Sequence, residues 1–166
     1  MGGVRVRRAY RGDAAALAEL SALLTGEDSG GRSRLTAADV LEHCFGDRPA
    51  FQALVADERG RLLGYASFYP SYDTQYAAKG LYLQDLYVRR EARRRGIGRT
   101  LMGALARVCL EHGGCYLVWN ALPSNRPGRA FYRALGARTE RVITLSLQPG
   151  PLRRLAADSE AEVFGG

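Results

Sequence analysis

The stretch Leu86-Tyr87-Val88-Arg89-Arg90-Glu91-Ala92-Arg93-Arg94-Arg95-Gly96-Ile97-Gly98-Arg99-Thr100 decides how this chain reads. An apolar strand, Leu81 to Val88, runs through a turn dense in arginine and glycine into an amphipathic helix. Between Gly96 and His112, Ile97, Leu101, Leu105 and Val108 fall on one helical face and Arg99, Arg107 and Glu111 on another, the spacing of a helix laid on a sheet. A helix start offers backbone N–H groups and the positive end of the helix dipole, so it favours anions. Gly96 and Gly98 let a pyrophosphate approach the main chain, and arginines add charge-assisted hydrogen bonds. Two other phosphate motifs are excluded. A P-loop requires lysine and then Ser or Thr after its glycines, whereas Arg99 follows Gly98; a dinucleotide fingerprint requires a third glycine where Leu101 stands. Taken alone, the arginine run also reads as a solvated basic face or an RNA-binding patch, although no aromatic stacking residues are interleaved with it.

Working outward, Val4 and Val6 alternate with Arg5 and Arg7 and predict a half-buried first strand. Asp13 is placed to cap a helix carrying Leu17, Leu20 and Leu24 on one face; Arg11-Gly12-Asp13 reads as a turn and cap, not an adhesion signal. The Gly-rich stretch from Gly26 to Gly31 predicts a break, and Thr36 with Asp39 three residues on starts a second helix whose apolar face is Val40, Leu41, Cys44 and Phe45. Phe51 to Ala56 and Leu62 to Tyr69 read as a hairpin across the polar turn Asp57 to Arg61. After the long helix come a short strand, Cys115 to Trp119, a helix from Arg126 to Leu135 ended by Gly136, and a last strand, Val142 to Leu147. Helices interleaved with hairpin-linked strands define an α/β domain on a mixed sheet. We expect one domain over residues 1–148 and a tail over 149–166 with little to bury.

Composition narrows the function classes. The 166 residues, 46% of them hydrophobic, suffice for one core. No run is long and apolar enough to span a membrane, the N-terminus has no apolar signal-peptide run, and Gly2 lacks the Ser or Thr four residues on that a myristoylation signal uses; a cytoplasmic protein is expected. Cys44, Cys109 and Cys115 form an odd set without CxxC spacing, and His43 and His112 complete no metal pattern, so no metal site and reduced cysteines are expected. A formal net charge of +7 favours anionic partners without choosing among nucleic acid, lipid and phosphorylated cofactor.

Arg93-Arg94-Arg95-Gly96-Ile97-Gly98 matches the Arg/Gln-x-x-Gly-x-Gly/Ala signature of the GNAT N-acetyltransferases, in the strand-to-helix place where that signature lies. Tyr82-Leu83-Gln84-Asp85-Leu86-Tyr87-Val88 before it, with Asn125, Phe131-Tyr132 and Leu135-Gly136-Ala137 after it, resemble the diamine (spermidine/spermine) branch. The likeness covers residues 61 to 147 well and the first 60 loosely. It implies a mixed sheet of about six to seven strands flanked by about four helices, acetyl-CoA as cofactor, a small-molecule amine (diamine-, polyamine- or amino-acid-like) as acceptor, and a homodimer without nucleic-acid or membrane partners. It also implies a cofactor cradle at main-chain groups of Leu86, Tyr87 and Val88, a pyrophosphate held by Arg93, Arg94, Arg95, Gly96, Ile97, Gly98, Arg99 and Thr100, a cofactor contact from Asn125, and Tyr132 as the acid that protonates the leaving thiolate. Asn125 also reads as a plain helix cap, and Tyr132 as an amphipathic ring beside Phe131.

The base is harder to place. The branch has glutamate where Gln84 stands, and glutamine can only hydrogen-bond a neutral amine or orient a water. Asp85 offers a carboxylate, but strand alternation turns it to the opposite face; Asp73, Glu27, Asp28 and His112 are further candidates. Tyr72 and Tyr76, in an apparent loop, are the tyrosines expected at the acceptor pocket, by packing and cation–π contact, with the other tyrosines filling the sheet. Acetylation of a protein lysine or N-terminus, a non-catalytic acyl-CoA-binding domain and an RNA-binding module stay open as alternatives.

Overall fold

The computed structural model describes residues 3–159, so the expectations for Gly2 and for the last seven residues of the tail lie outside what is described. Met1–Gly128 form one compact unit and Arg129–Gly166 a second. The first holds a five-stranded sheet in the order β1 (Arg5–Arg8), β2 (Gln52–Glu58), β3 (Arg61–Asp73), β4 (Ala78–Val88), β5 (Tyr116–Val118). Neighbours pair antiparallel except β4 and β5, which are parallel. The mixed α/β architecture is the expected one, with fewer strands. Val142 to Leu147, expected as a last strand, belongs to no strand among the described residues, and Ile143 and Leu145 are each 87% exposed. Alternation supplies an apolar face, but a strand also needs an edge to pair with, and that the pattern does not encode.

The helices are α1 (Ala14–Ser29), α2 (Ala37–His43), α3 (Ile97–Glu111), α4 (Arg126–Ala134) and α5 (Pro149–Asp158). Gly26 does not break α1; the helix continues to Ser29 and ends at Gly30, whose positive φ of 67° forms the C-terminal cap. α2 starts as its sequence dictates, with Thr36 Oγ1 accepting from the Asp39 N–H and the Asp39 carboxylate accepting from the Thr36 N–H. The described part of the expected tail is helical over Pro149–Asp158, with Pro149 in the first turn where a fixed φ costs nothing, and none of the residues of this helix is buried.

Two layers cover the sheet. Leu17 and Leu20 of α1 and Val40 and Cys44 of α2 pack with Ala53, Val55, Tyr65 and Tyr87. α3 buries Ile97, Leu101, Leu105 and Val108 as its spacing predicts, and Met102 and Cys109 widen the stripe. Burying a leucine of this kind stabilises by roughly 1.5–3 kcal/mol, so α3 is held chiefly by that face.

β1 departs from simple alternation. Arg7 is turned inward, its guanidinium giving two bonds to the Asp13 carboxylate (2.7 and 3.0 Å) and two to Asp57 (2.8 and 3.1 Å). Asp13 therefore braces β1 instead of capping α1; it also accepts from the Tyr10 N–H and leaves α1 with no side-chain cap. Arg59 and Gly60, both at positive φ (56° and 86°), close the β2–β3 hairpin as a two-residue turn that matches strand twist.

β3 and β4 form the longest ladder, from Gly64↔Val88 to Asp73↔Ala78. Gly64 sits where the strands come closest, and a Cβ there would stand 2.5 Å from the Tyr87 carbonyl oxygen. We expect Gly64→Ala to destabilise the fold by about 1–3 kcal/mol, as overpacking against backbone does, measured as a lower denaturant midpoint at unchanged slope.

Candidate active site

Two openings along β4 define the site. On the sheet side, β5 pairs with β4 only over Gly80–Tyr82, while β4 continues to Val88. The N–H of Arg89 donates to the Leu63 carbonyl of β3, and because main-chain groups alternate along a strand, those of Leu86 and Val88 face away from β3 toward the unpaired edge. Of the main-chain groups expected to form a cradle at Leu86 to Val88, those of Leu86 and Val88 lie along this edge and those of Tyr87 are turned into the β3 ladder. Its side chain is buried.

At the end of that edge the arginine turn leads into α3. Gly96 adopts φ 79° at the helix start and no side chain caps it, so the first-turn N–H groups of Ile97, Gly98 and Arg99 have no intrahelical acceptor. Thr100 is already within the helix, its N–H donating to the Gly96 carbonyl. Arg94 and Arg99 are exposed and, among the described residues, paired with no carboxylate. These groups suit a pyrophosphate. Arg93 and Arg95 are committed elsewhere: Arg93 donates to the Val88 carbonyl (2.9 Å) and to Glu27 (2.7 Å), and Arg95 is bound to Glu58. A run of similar residues is divided by its partners, which spacing alone does not reveal. Asn125 caps α4, its Oδ1 accepting from the Gly128 N–H at 2.9 Å. Tyr132 lies on α4 with its ring 5.3 Å from that of Phe131.

On the α1/α2 face of β4 lies a cleft of ≈ 380 Å³. Here the strand slips. Ser67 pairs with Asp85 but Phe68 pairs with Leu83, so Gln84 is an extra residue, a β-bulge that re-aims side chains. As a result Gln84 and Asp85 both line the cleft. The alternation argument that turned Asp85 away fails for this reason. Asp85 Oδ2 accepts from Ser67 Oγ at 2.8 Å. Burial pushes its carboxyl above the ordinary carboxylate range, the Ser67 and Tyr65 hydroxyls oppose this, and the charge of Asp28 adds to it.

Tyr65 and Tyr69, read from sequence as sheet filler, line the same cleft. Tyr72 and Tyr76 do not; they are 58% and 79% exposed, beyond it on the hairpin. The Tyr65 hydroxyl is buried with no partner in full hydrogen-bonding geometry, yet it stands close enough to Asp85 and Ser21 to interact with both; burial, followed by the Asp85 charge, pushes its proton loss up. Of the other base candidates, Asp73 accepts from the Gln75 and Tyr76 N–H groups of its own turn, and His112 has Nδ1 2.8 Å from the Val108 carbonyl at the end of α3. Glu27 accepts from Tyr87 Oη (2.8 Å), Arg90 Nε (3.0 Å) and Arg93 (2.7 Å). Among the described residues no cluster of His, Cys, Asp and Glu suits a metal, and no helix is long and apolar enough to cross a membrane.

Residues 17–137 match the acetyltransferase (GNAT) family, and the chain belongs to it. It is 29% identical over 147 residues to a thialysine N-epsilon-acetyltransferase of Bos taurus, covering 83% of this chain and 86% of that one. It is 31% identical over 146 residues to spermidine/spermine N(1)-acetyltransferase-like protein 1 of Homo sapiens, covering 80% of this chain and 20% of that much longer protein. An integron cassette protein from the mobile metagenome of V. cholerae superposes with a TM-score of 0.79 at 25% identity, over 92% of this chain and 97% of that one. The chain is an acyltransferase of this family.

Glu27 ties α1 to the arginine turn, and its test is electrostatic. Burial opposes its charge, but the bonds from Arg93, Tyr87 and Arg90 outweigh that and hold its carboxyl below the usual range. A carboxyl lowered by folding stabilises above its unfolded pKa, and that contribution is lost as pH falls through the folded value. Glu27→Gln is therefore expected to lower Tm at pH 7, with the gap to the unmodified protein closing below about pH 4.

Proposed function

We propose that the protein transfers the acetyl group of acetyl-CoA to the amine of a small molecule by direct attack on the thioester, within a catalytic domain spanning residues 1–148. The observation that carries this reading is the adjacency, along one strand, of an open main-chain edge (Leu86, Val88) and a carboxylate aimed into a cleft (Asp85). The edge and the uncapped start of α3 fit a pantetheine arm and a pyrophosphate, with Ile97, Gly98, Arg94 and Arg99 as holders. Acetyl-CoA supplies an activated acyl carbon, and this chain supplies the rest. The main-chain N–H of Leu86 or Val88 donates to the thioester oxygen as it gains charge, a contact worth roughly 2.7–4 kcal/mol of barrier in comparable sites. An alkylamine with pKa near 10 is protonated at pH 7. Asp85 takes that proton, being within a cleft where its own carboxyl is already driven toward the protonated form, and Gln84 holds the neutral amine by a hydrogen bond. Tyr132 gives a proton to the departing thiolate, a role that rests on its family position. A cleft of ≈ 380 Å³ also favours a small acceptor over a protein segment. The reading includes a cytoplasmic location and a homodimer, the latter supported by exposed strand edges and checked by sizing the purified chain.

Two measurements test this. Thiol release from acetyl-CoA in the presence of an amine panel should fall by about 10²–10⁴ in kcat for Tyr132→Phe. Absence of release from every amine, with acetyl-CoA still bound, would favour a non-catalytic acyl-CoA-binding domain. Asp85→Asn should abolish the acid limb of the kcat/KM profile. It should also raise Tm at pH 7. A carboxyl raised by folding favours the fold below its unfolded pKa, and this is lost as pH rises through the folded value, so the ionised Asp85 opposes folding at neutral pH and the amide does not.

A further inference from the structure

The cleft selects among amines. We propose that its acceptor is a primary amine on an uncharged, apolar body, held at the ammonium by Asp85, Tyr65 and Gln84, and that a second charged amine makes a compound a poor substrate. This rests on the acetyl-transfer reading and narrows it.

The polar floor counts three acceptors. Ser67 occupies Asp85 Oδ2, leaving the other carboxylate oxygen; Tyr65 Oη is unpartnered in a residue only 3% exposed; Gln84 carries an amide oxygen at the same cleft. A primary ammonium brings three N–H donors and no acceptor. Tyr65 Oη, beside Asp85, can direct its proton toward the carboxylate and still accept from an ammonium. The rest of the wall is mostly apolar, with Leu17, Leu35, Val40, Ala50 and Phe51, and its remaining polar groups are the neutral hydroxyls of Ser21 and Tyr69. A second ammonium placed along it would leave water without a counter-charge, which is unfavourable. Asp85 is the single carboxylate among the residues lining the cleft. Glu27 is already bound by Arg90 and Arg93, and Asp28, whose charge is felt at Asp85, is exposed on the last turn of α1 outside the lining. The net charge of +7 further opposes the approach of a polycation, and ≈ 380 Å³ suits a phenylalkyl or short alkyl body.

The test uses the full chain with acetyl-CoA and a matched pair, hexylamine and 1,6-diaminohexane, with 2-phenylethylamine and spermidine beside them, reading thiol release. Hexylamine and 2-phenylethylamine should exceed the diamine and spermidine in kcat/KM by at least about tenfold. Tyr65→Phe should lower kcat/KM for hexylamine and keep the KM for acetyl-CoA; a purely structural tyrosine would leave the amine parameters unmoved. Turnover of the diamine or spermidine equal to or above that of hexylamine would overturn the selectivity while leaving acetyl transfer intact. No turnover of any amine would overturn both, whether or not acetyl-CoA binds.

Discussion

The antiparallel ladder between β3 and β4 is the constraint on which the rest of the molecule depends. It is the longest pairing in the sheet, and its register fixes which β4 groups face each layer. Gly64 permits the close approach at one end; the extra residue at Gln84 breaks the register in the middle. Without that slip Asp85 would point away from the cleft that Gln84 lines, and a one-residue change of register exchanges the faces of every side chain beyond it. The same strand then outruns β5, leaving Leu86 and Val88 with main-chain groups to offer. The cleft and the open edge, the acceptor and acyl sides of the proposed function, are thus set by one irregularity and one mismatch in strand length.

Around this ladder the charges are arranged to hold elements together. Arg7 joins β1 to the start of α1 and to the β2–β3 turn through Asp13 and Asp57. Glu27 joins the end of α1 to the arginine turn, so the helix that supplies Leu17 and Ser21 to the cleft is anchored to the segment that precedes α3. Basic residues that look alike in sequence are thereby divided into braces, such as Arg93 and Arg95, and exposed cations, such as Arg94 and Arg99.

The elements with strong local signals were legible in the sequence. The four-residue apolar spacing of α3, the Thr36–Asp39 capping box and the glycine turn before Ile97 each declare themselves through nearest neighbours, and the strand-turn-helix signature carried the family. What needed coordinates was non-local. The bulge at Gln84 is a relation between two strands, and no pattern within β4 marks it. The inward turn of Arg7 depends on Asp57, fifty residues away. Tyr65 reads like any β-sheet tyrosine until its hydroxyl is seen to lack a partner, and the apolar alternation of Val142 to Leu147 indicates a face without indicating an edge to pair with.

The unpaired reach of β4 has a colloidal consequence. Free strand edges are templates for another chain, which is why proteins commonly cover or charge them. Under the proposed function the edge stays open for a pantetheine arm to lie against it. In protein that has released its cosubstrate, the same backbone groups are offered to any extended segment nearby. On that reading, shelf life and solubility during purification would become properties of cosubstrate loading, and an additive that mimics the arm would act as a stabiliser even where no catalysis is wanted.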